Sequence, residues 1–356
     1  MSKKNKIRSL SFQMTETIDM VHKLHLDKHS LKRTKNKYDF VYSFNEKSNL
    51  CKISKQLAKF LKENFDVKYI KNVKKEHIES FLNSKSATCN NKSLYAYTSY
   101  IKKTLHLCNN RFKCNIDVNS INIPSSEKNP FKGELGDISR SKMMTEEHYY
   151  KIQSYLDKNE SSSKISFRLS RLFGLRNSES VTITPQNVYS KGKIISNISK
   201  DKIEYLKVLG KGNKWRKIPI DNDKQILYLK KLLESRKNDN DRFVNIKADS
   251  VSARIRAAMK KISLTDQEKK DNPGCKTIGD LYKNTSQHAV RKLYATKSFI
   301  FLRDQKYLSN LEKGMDKEKA MENAKNYAYK AVLGRRLGHG NKKREALAKV
   351  YIDNFI

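Results

Sequence analysis

Six side chains in the second half of this 356-residue chain have the types needed to attack a phosphodiester: Arg176, Lys211, His288, Arg291, His339 and Tyr351. Cleavage by a protein hydroxyl requires a nucleophile held in line and cations for the charge gathering on the non-bridging oxygens. It also requires a base for the nucleophile's proton and an acid for the leaving oxygen. Arginine suits the oxygens, because its planar fork donates two hydrogen bonds to phosphate and stays charged. Tyrosine suits a reversible link, in which phosphate passes between hydroxyls. A tyrosine among five cationic or proton-handling groups therefore points to cutting and rejoining DNA through a covalent phosphotyrosine. Taken singly, each residue also has a plainer role. Gly174–Glu179 fits a loop entering a helix, and Lys211 fits a solvated hairpin tip. His288 and Arg291 fit a surface pair on one helix face. Leu337–Gly340 fits a helix C-cap. The joint occurrence of all of them, in order, is what carries the chemistry.

The elements that must position these groups fall into two halves. In the first, Ile53, Leu57, Phe60 and Leu61 form one apolar helical stripe. Val73, Ile78, Phe81 and Leu82 mark a second helix, and Leu94, Tyr97, Ile101, Leu105 and Cys108 a third. Lys and Arg fill the faces between the stripes. From about Asn115 to Ser141 the pattern breaks into a polar stretch with Pro124, Pro130, Gly133 and Gly136, which reads as a linker ending near Ser141. Thr145 is placed to cap the next helix, with Glu146 and Glu147 in its first turn. A helix through Phe167–Phe173 leads to Arg176. Strand-like runs follow at Lys193–Ile198, Ile203–Leu209 and Trp215–Ile220, the last two flanking the turn Gly210–Asn213. Helices are expected again at Lys224–Arg236, Ser250–Lys261, His288–Leu302 and Asp316–Arg336. The fold class is mainly α with a small antiparallel β-sheet.

Lys and Arg number 75 against 37 Asp and Glu, a formal charge of +38. A field of that sign attracts polyanions, although a lysine-rich coding bias also contributes to it. The five cysteines, Cys51, Cys89, Cys108, Cys114 and Cys275, are odd in number and lack zinc-site spacing, so reduced thiols and no structural metal are expected. The first ten residues lack a signal peptide's apolar run, and no stretch approaches a membrane span, which places the chain in the cytoplasm.

The motifs resemble those of tyrosine recombinases of the phage-integrase and Xer type. Gly174-Leu175-Arg176-Asn177-Ser178-Glu179 resembles that family's first arginine motif, and Val208–Ile220 its β-hairpin lysine segment. Ser286–Thr296 resembles the His-x-x-Arg box. Leu337–Asn341 resembles the last histidine motif, with Tyr351 after it. The resemblance implies a two-domain architecture: a basic segment 1–40, a helical core-binding domain 41–120, a linker 121–141 and a catalytic domain 142–356. It implies that Arg176 and Arg291 clamp the scissile phosphate and that Lys211 protonates the leaving 5′ oxygen. His288 would help take the tyrosine proton, His339 would bond the phosphate, and Tyr351 would form a 3′-phosphotyrosine. Glu179 would support the first arginine. No metal, nucleotide or other cofactor is implied. The partners implied are double-stranded DNA at specific sites, held in a C-shaped clamp by a homo-tetramer on two sites, with room for accessory DNA-bending proteins. The implied function is site-specific recombination, the integration or excision of a mobile element or phage. A hairpin telomere resolvase, a type IB topoisomerase-like strand transferase and a catalytically silent DNA-binding relative are the alternatives.

Three features depart from the family pattern. Arg291 and His339 are 48 residues apart (339 − 291), with the excess in the charged segment Arg303–Tyr329, which we expect to form longer or inserted helices contributing to protomer contacts. His339 and Tyr351 are 12 apart (351 − 339), and Ala348 stands where the family's tyrosine usually falls. Only five residues follow Tyr351, so an exchanged C-terminal tail must use the tyrosine helix, use the inserted segment, or be absent.

Overall fold

The computed structural model describes residues 8–23, 39–126, 142–190, 193–194, 203–210, 214–282, 287–338 and 352. The chain divides into two compact units, Met1–Glu134 and Leu135–Ile356.

The first unit is built from α1 (Leu10–Met20), α2 (Phe44–Phe65), α3 (Lys75–Ser86) and α4 (Asn91–Phe112). Ser43 accepts the amide of Glu46 and Asn90 that of Ser93, so short polar side chains start α2 and α4 as their preferences dictate. The apolar stripes meet in one cluster that includes Ile53, Leu57, Leu61, Phe81, Leu82, Ile101 and Leu105. Two features of this cluster lie outside the helices read from the sequence. α1 falls within the stretch expected to be only a basic segment, yet Leu10 and Met14 bury in the cluster. Ile121, at the start of the expected linker, packs there as well.

The second unit opens with Thr145, whose hydroxyl accepts the His148 amide (3.1 Å) to start α5 (Glu146–Lys158). Then come α6 (Lys164–Phe173) and the single turn α7 (Asn177–Ser180). Strands β1 (Val188–Ser190), β2 (Lys193–Ile194), β3 (Tyr205–Gly210) and β4 (Lys214–Pro219) form one antiparallel sheet in the order β2-β1-β3-β4. The run expected as a strand over Lys193–Ile198 pairs only through Lys193 and Ile194, and its remainder lies outside the described residues. In the β3–β4 hairpin Leu206 faces Ile218 and Val208 faces Arg216, which sets β4's inner face as Arg216 and Ile218. Helices α8 (Asp223–Glu234), α9 (Ala248–Lys261), α10 (Asp266–Asp271) and α11 (Ile278–Leu281) lead to the long α12 (Gln287–Glu312).

The Arg303–Tyr329 segment is the outer half of α12 and a second helix, α13 (Lys317–Tyr329). Gly314, at φ +77°, makes the turn between them, and Asp316 caps α13 through the Lys319 amide. Ala320, Ala324 and Ala328 are fully buried, and these small residues let α13 pack against α12. The helix expected to run unbroken to Arg336 changes pitch at Lys330. Residues Lys330–Arg336 form a π-helix, closed by the Leu337 amide on the Val332 carbonyl (2.9 Å). Such wide turns are rare and often accompany functional sites.

Candidate active site

The local sequence around Arg176 explains its position. α6 stops at Gly174, whose left-handed φ of +62° suits glycine, and a Cβ there would collide with the ring of Tyr294. Leu175 is fully buried and fixes the loop to the core. Arg176 then caps α7, and the Glu179 carboxylate, three residues on, accepts the Arg176 amide (2.8 Å). The sequence Gly-Leu-Arg-x-x-Glu thus ends one helix, begins another and locks a buried carboxylate to the backbone.

That carboxylate is the centre of an arginine cluster. Glu179 Oε1 accepts from Arg176 Nη1 at 2.7 Å. Arg216, reaching in from β4, donates from Nη1 to Oε1 (2.7 Å) and from Nη2 to Oε2 (2.8 Å), a bidentate pair. Arg291 Nη1 stands 3.5 Å from Oε2. Burial alone would raise the Glu179 pKa. The Arg216 pair, then the charge of Arg291 and the Arg176 amide, overcome that effect and hold it at about 2. Three guanidiniums around one carboxylate leave a formal surplus of +2.

Arg291 is 1% exposed and Arg216 8%, whereas Arg176 is 23% exposed. Arg176 is therefore the cation an incoming group meets first, with Arg291 behind it. Arg291 Nη1 also donates to the Gly174 carbonyl, and its Nη2 to the Leu337 carbonyl (2.8 Å). Arg216 Nε donates to the Arg336 carbonyl (3.0 Å). The last carbonyls of the π-helix are thus held by two of the arginines that surround Glu179. Arg336 itself forms a two-pronged pair with Asp221.

Arg176, His288 and Arg291 open onto one cleft of about 280 Å³, which Ser178, Ser252 and Asp249 also line. His288 lies on α12 one turn before Arg291, and the start of that helix is anchored by the buried Gln287, which donates to the Ser170 hydroxyl. His288 is exposed at the cleft, and the partial desolvation of its ring there, then the charges of Arg291 and Arg176, lower its pKa below the ordinary 6.5. A neutral imidazole beside cations is suited to accept a proton. Among the described residues no group of His, Cys, Asp and Glu side chains has metal-site geometry.

The structure thus brings together four of the residues singled out in the sequence: Arg176, Glu179, His288 and Arg291. Lys211, His339 and Tyr351 lie outside the described residues, as does Ala348. Lys211 belongs to the three-residue connection between β3 and β4, and His339 follows Gly338 at the described end of the π-helix segment. Ile352, directly after Tyr351, is fully buried among Tyr294, Phe299, Val332 and Leu337. The sequence reading missed Arg216, which the run Lys214-Trp215-Arg216-Lys217 hides among exposed residues. The available signal was its period-two spacing from the buried Ile218.

Neither a protein-family model nor a curated protein sequence matches this chain. Among solved structures, it is similar to a lambda integrase tetramer bound to a Holliday junction, at 13% identity and TM-score 0.45, covering 82% of this chain and 70% of that one. It is similar to the Tn1549 transposon integrase in complex with transposon right end DNA, at 13% identity and TM-score 0.44, covering 96% and 97%. XerH site-specific recombinase bound to a palindromic difH substrate is similar at 12% identity and TM-score 0.46, covering 96% and 91%. No described helix is long and apolar enough to cross a membrane.

Proposed function

We propose that this chain is a tyrosine site-specific recombinase, cleaving and rejoining DNA through a 3′-phosphotyrosine. The observation that carries the reading is the convergence of Arg176, His288 and Arg291, up to 115 residues apart (291 − 176), on one cleft backed by a surplus of positive charge. A cleft with two guanidiniums and a neutral imidazole supplies what a phosphoryl transfer asks of its surroundings. The motif resemblance to the phage-integrase and Xer class supplies the rest of the machinery from Lys211, His339 and Tyr351.

In this reading the Tyr351 oxygen attacks the scissile phosphorus and its proton passes toward His288. Arg176 and Arg291 stabilise the charge on the non-bridging oxygens, with His339 bonding the same phosphate. The bond from phosphorus to the 5′ oxygen breaks, and Lys211 protonates that oxygen as it leaves. One phosphodiester is exchanged for another, so rejoining is the same sequence in reverse with a new 5′ hydroxyl. Double-stranded DNA is the substrate, two sites are brought together by four protomers, and the chain works in the cytoplasm. Ile352, the residue after Tyr351 in the sequence, packs within the second unit's own core.

The test is incubation with a nicked duplex from the ends of the protein's own element, without metal or nucleotide, followed by a denaturing gel. The expected result is a covalent protein–DNA adduct that is lost in Tyr351→Phe. Tight binding to the correct ends with no adduct overturns the reading in favour of a DNA-binding relative without chemistry.

A further inference from the structure

Arg216 has a place in this site that the motif resemblance does not supply. Its side chain, 8% exposed, occupies a slot made for it. A Cβ at Gly210 would lie 2.9 Å from Arg216 Nη1, and one at Gly338 would lie 3.1 Å from Arg216 Cδ. Gly338 also holds φ at +72°, a conformation that other residues rarely adopt. Two glycines from distant parts of the chain thus make room for one guanidinium. That guanidinium meets both oxygens of Glu179, at 2.7 and 2.8 Å.

The arrangement divides a single negative charge among three cations unequally. Arg216 takes both carboxylate oxygens in a planar two-point match, the strongest geometry available to an ion pair of this type. Arg176 has one side-chain bond to Oε1, and Arg291 only the 3.5 Å approach to Oε2. Without Arg216, the carboxylate could turn fully onto Arg176. A two-point pair there would neutralise the cation that the cleft presents first, and would compete directly with a phosphate for the same N–H groups.

We infer that Arg216 is a positioning residue that engages the Glu179 carboxylate so that Arg176 and Arg291 remain cationic toward the scissile phosphate. This rests on the recombinase reading above. Arg216 touches neither the phosphate nor the leaving group in this account. It acts through Glu179, and its contact with the Arg336 carbonyl fixes the hairpin to the end of the π-helix while it does so.

The test uses the full chain and two nicked substrates: an ordinary scissile phosphodiester, and a methylphosphonate in which a methyl replaces one charged non-bridging oxygen. A neutral phosphonate needs the arginine charge less. Arg216→Met is expected to slow adduct formation on the phosphodiester by about 100-fold, the scale of losing one oriented charge-stabilising group. Its ratio of phosphodiester to methylphosphonate rates should fall by roughly tenfold or more, as loss of a charged hydrogen bond implies. Glu179→Gln combined with Arg216→Met should regain at least part of the phosphodiester rate, because no carboxylate is left to capture Arg176. If Arg216→Met does not fold, Arg216→Lys carries the same comparison, since an ammonium cannot span both oxygens. Equal slowing on both substrates, or a double variant no faster than the single, overturns the inference. Arg176→Ala is the control. If it discriminates between the substrates and the Arg216 variants do not, only the inference fails. If the wild-type chain forms no adduct, the recombinase reading fails first.

Discussion

Each unit sets a carboxylate against basic side chains, and the two clusters are built differently. In the first unit, Lys103 is 5% exposed and donates to Glu46 Oε1 (2.7 Å) and to the Phe40 carbonyl (2.6 Å), while Glu46 Oε2 accepts the Tyr42 amide (3.0 Å). Among the described residues these bonds set one lysine on one carboxylate and hold the chain entering α2 against α4. In the second unit Glu179 is set against Arg176, Arg216 and Arg291. A one-to-one pair offsets part of its desolvation cost through its own attraction. A three-to-one cluster keeps unneutralised positive charge next to a cleft, which costs stability in the empty protein and becomes favourable when a phosphate arrives. Charge ratio, more than burial, separates the first unit's cluster from the second's, and a charge excess beside a cleft is the arrangement expected of a functional site.

The largest effect expected from this contrast is a split between stability and chemistry. Glu179→Ala strands three guanidiniums, so it should lower stability by about 3–5 kcal/mol and also slow adduct formation, because Arg176 loses the carboxylate bond that orients it. Glu46→Ala strands a buried lysine and should cost a similar amount, while protein that remains folded forms adduct at the wild-type rate. Denaturant unfolding of both variants beside a single-turnover adduct assay reads this directly. Loss of chemistry in Glu46→Ala would erase the distinction.

A smaller, pH-dependent effect sharpens the same point. The Glu179 pKa is depressed from 4.5 to about 2, so its contribution to stability is present above about 4.5 and is lost as pH falls toward 2. Acid unfolding of the second unit should therefore steepen in that window, and the steepening should vanish in Glu179→Gln. The His288 pKa is also lowered, so the neutral base persists to pH values below 6.5 before it protonates. Adduct formation should fall along an acid limb lying below that value, and His288→Asn should flatten the limb.

The smallest effect comes from removing both partners of the balanced pair. Glu46→Leu with Lys103→Met should change stability by no more than about 1 kcal/mol, since a buried pair is often replaceable by apolar groups of like volume. Adduct formation should not change at all. A large loss of either kind would mean that the first unit's cluster does more than hold its helices.

How much of this was legible in the sequence depended on whether the signal was local. Stripes at helical spacing place Ile53, Leu57 and Leu61 in a core because the period itself encodes burial. Thr145 caps its helix because the hydroxyl and the orphan amides are neighbours in sequence. Gly174–Glu179 was readable for the same reason: a left-handed stop and a reach-back carboxylate are events within six residues. The partners of Arg216 were not readable, since Glu179 and the Arg336 carbonyl lie 37 and 120 residues away along the chain. The π-helix at Lys330–Arg336 escaped too, because one extra residue in a turn leaves the apolar spacing nearly unchanged. α1 was masked by its surroundings: its apolar Leu10, Met14 and Ile18 sit beside a lysine-rich start that dominated the composition.

The most direct test of the central claim, that the Arg176 cleft is where phosphate reacts, is a paired measurement on Arg176→Ala. DNA affinity and single-turnover cleavage are measured on the same nicked duplex at the same salt. Affinity is expected within a few-fold of wild type and the cleavage rate lower by about 100-fold or more, since this cation acts on charge that develops only during reaction. Affinity and cleavage falling together by the same factor would contradict the claim, and would make Arg176 an anchor for the DNA backbone.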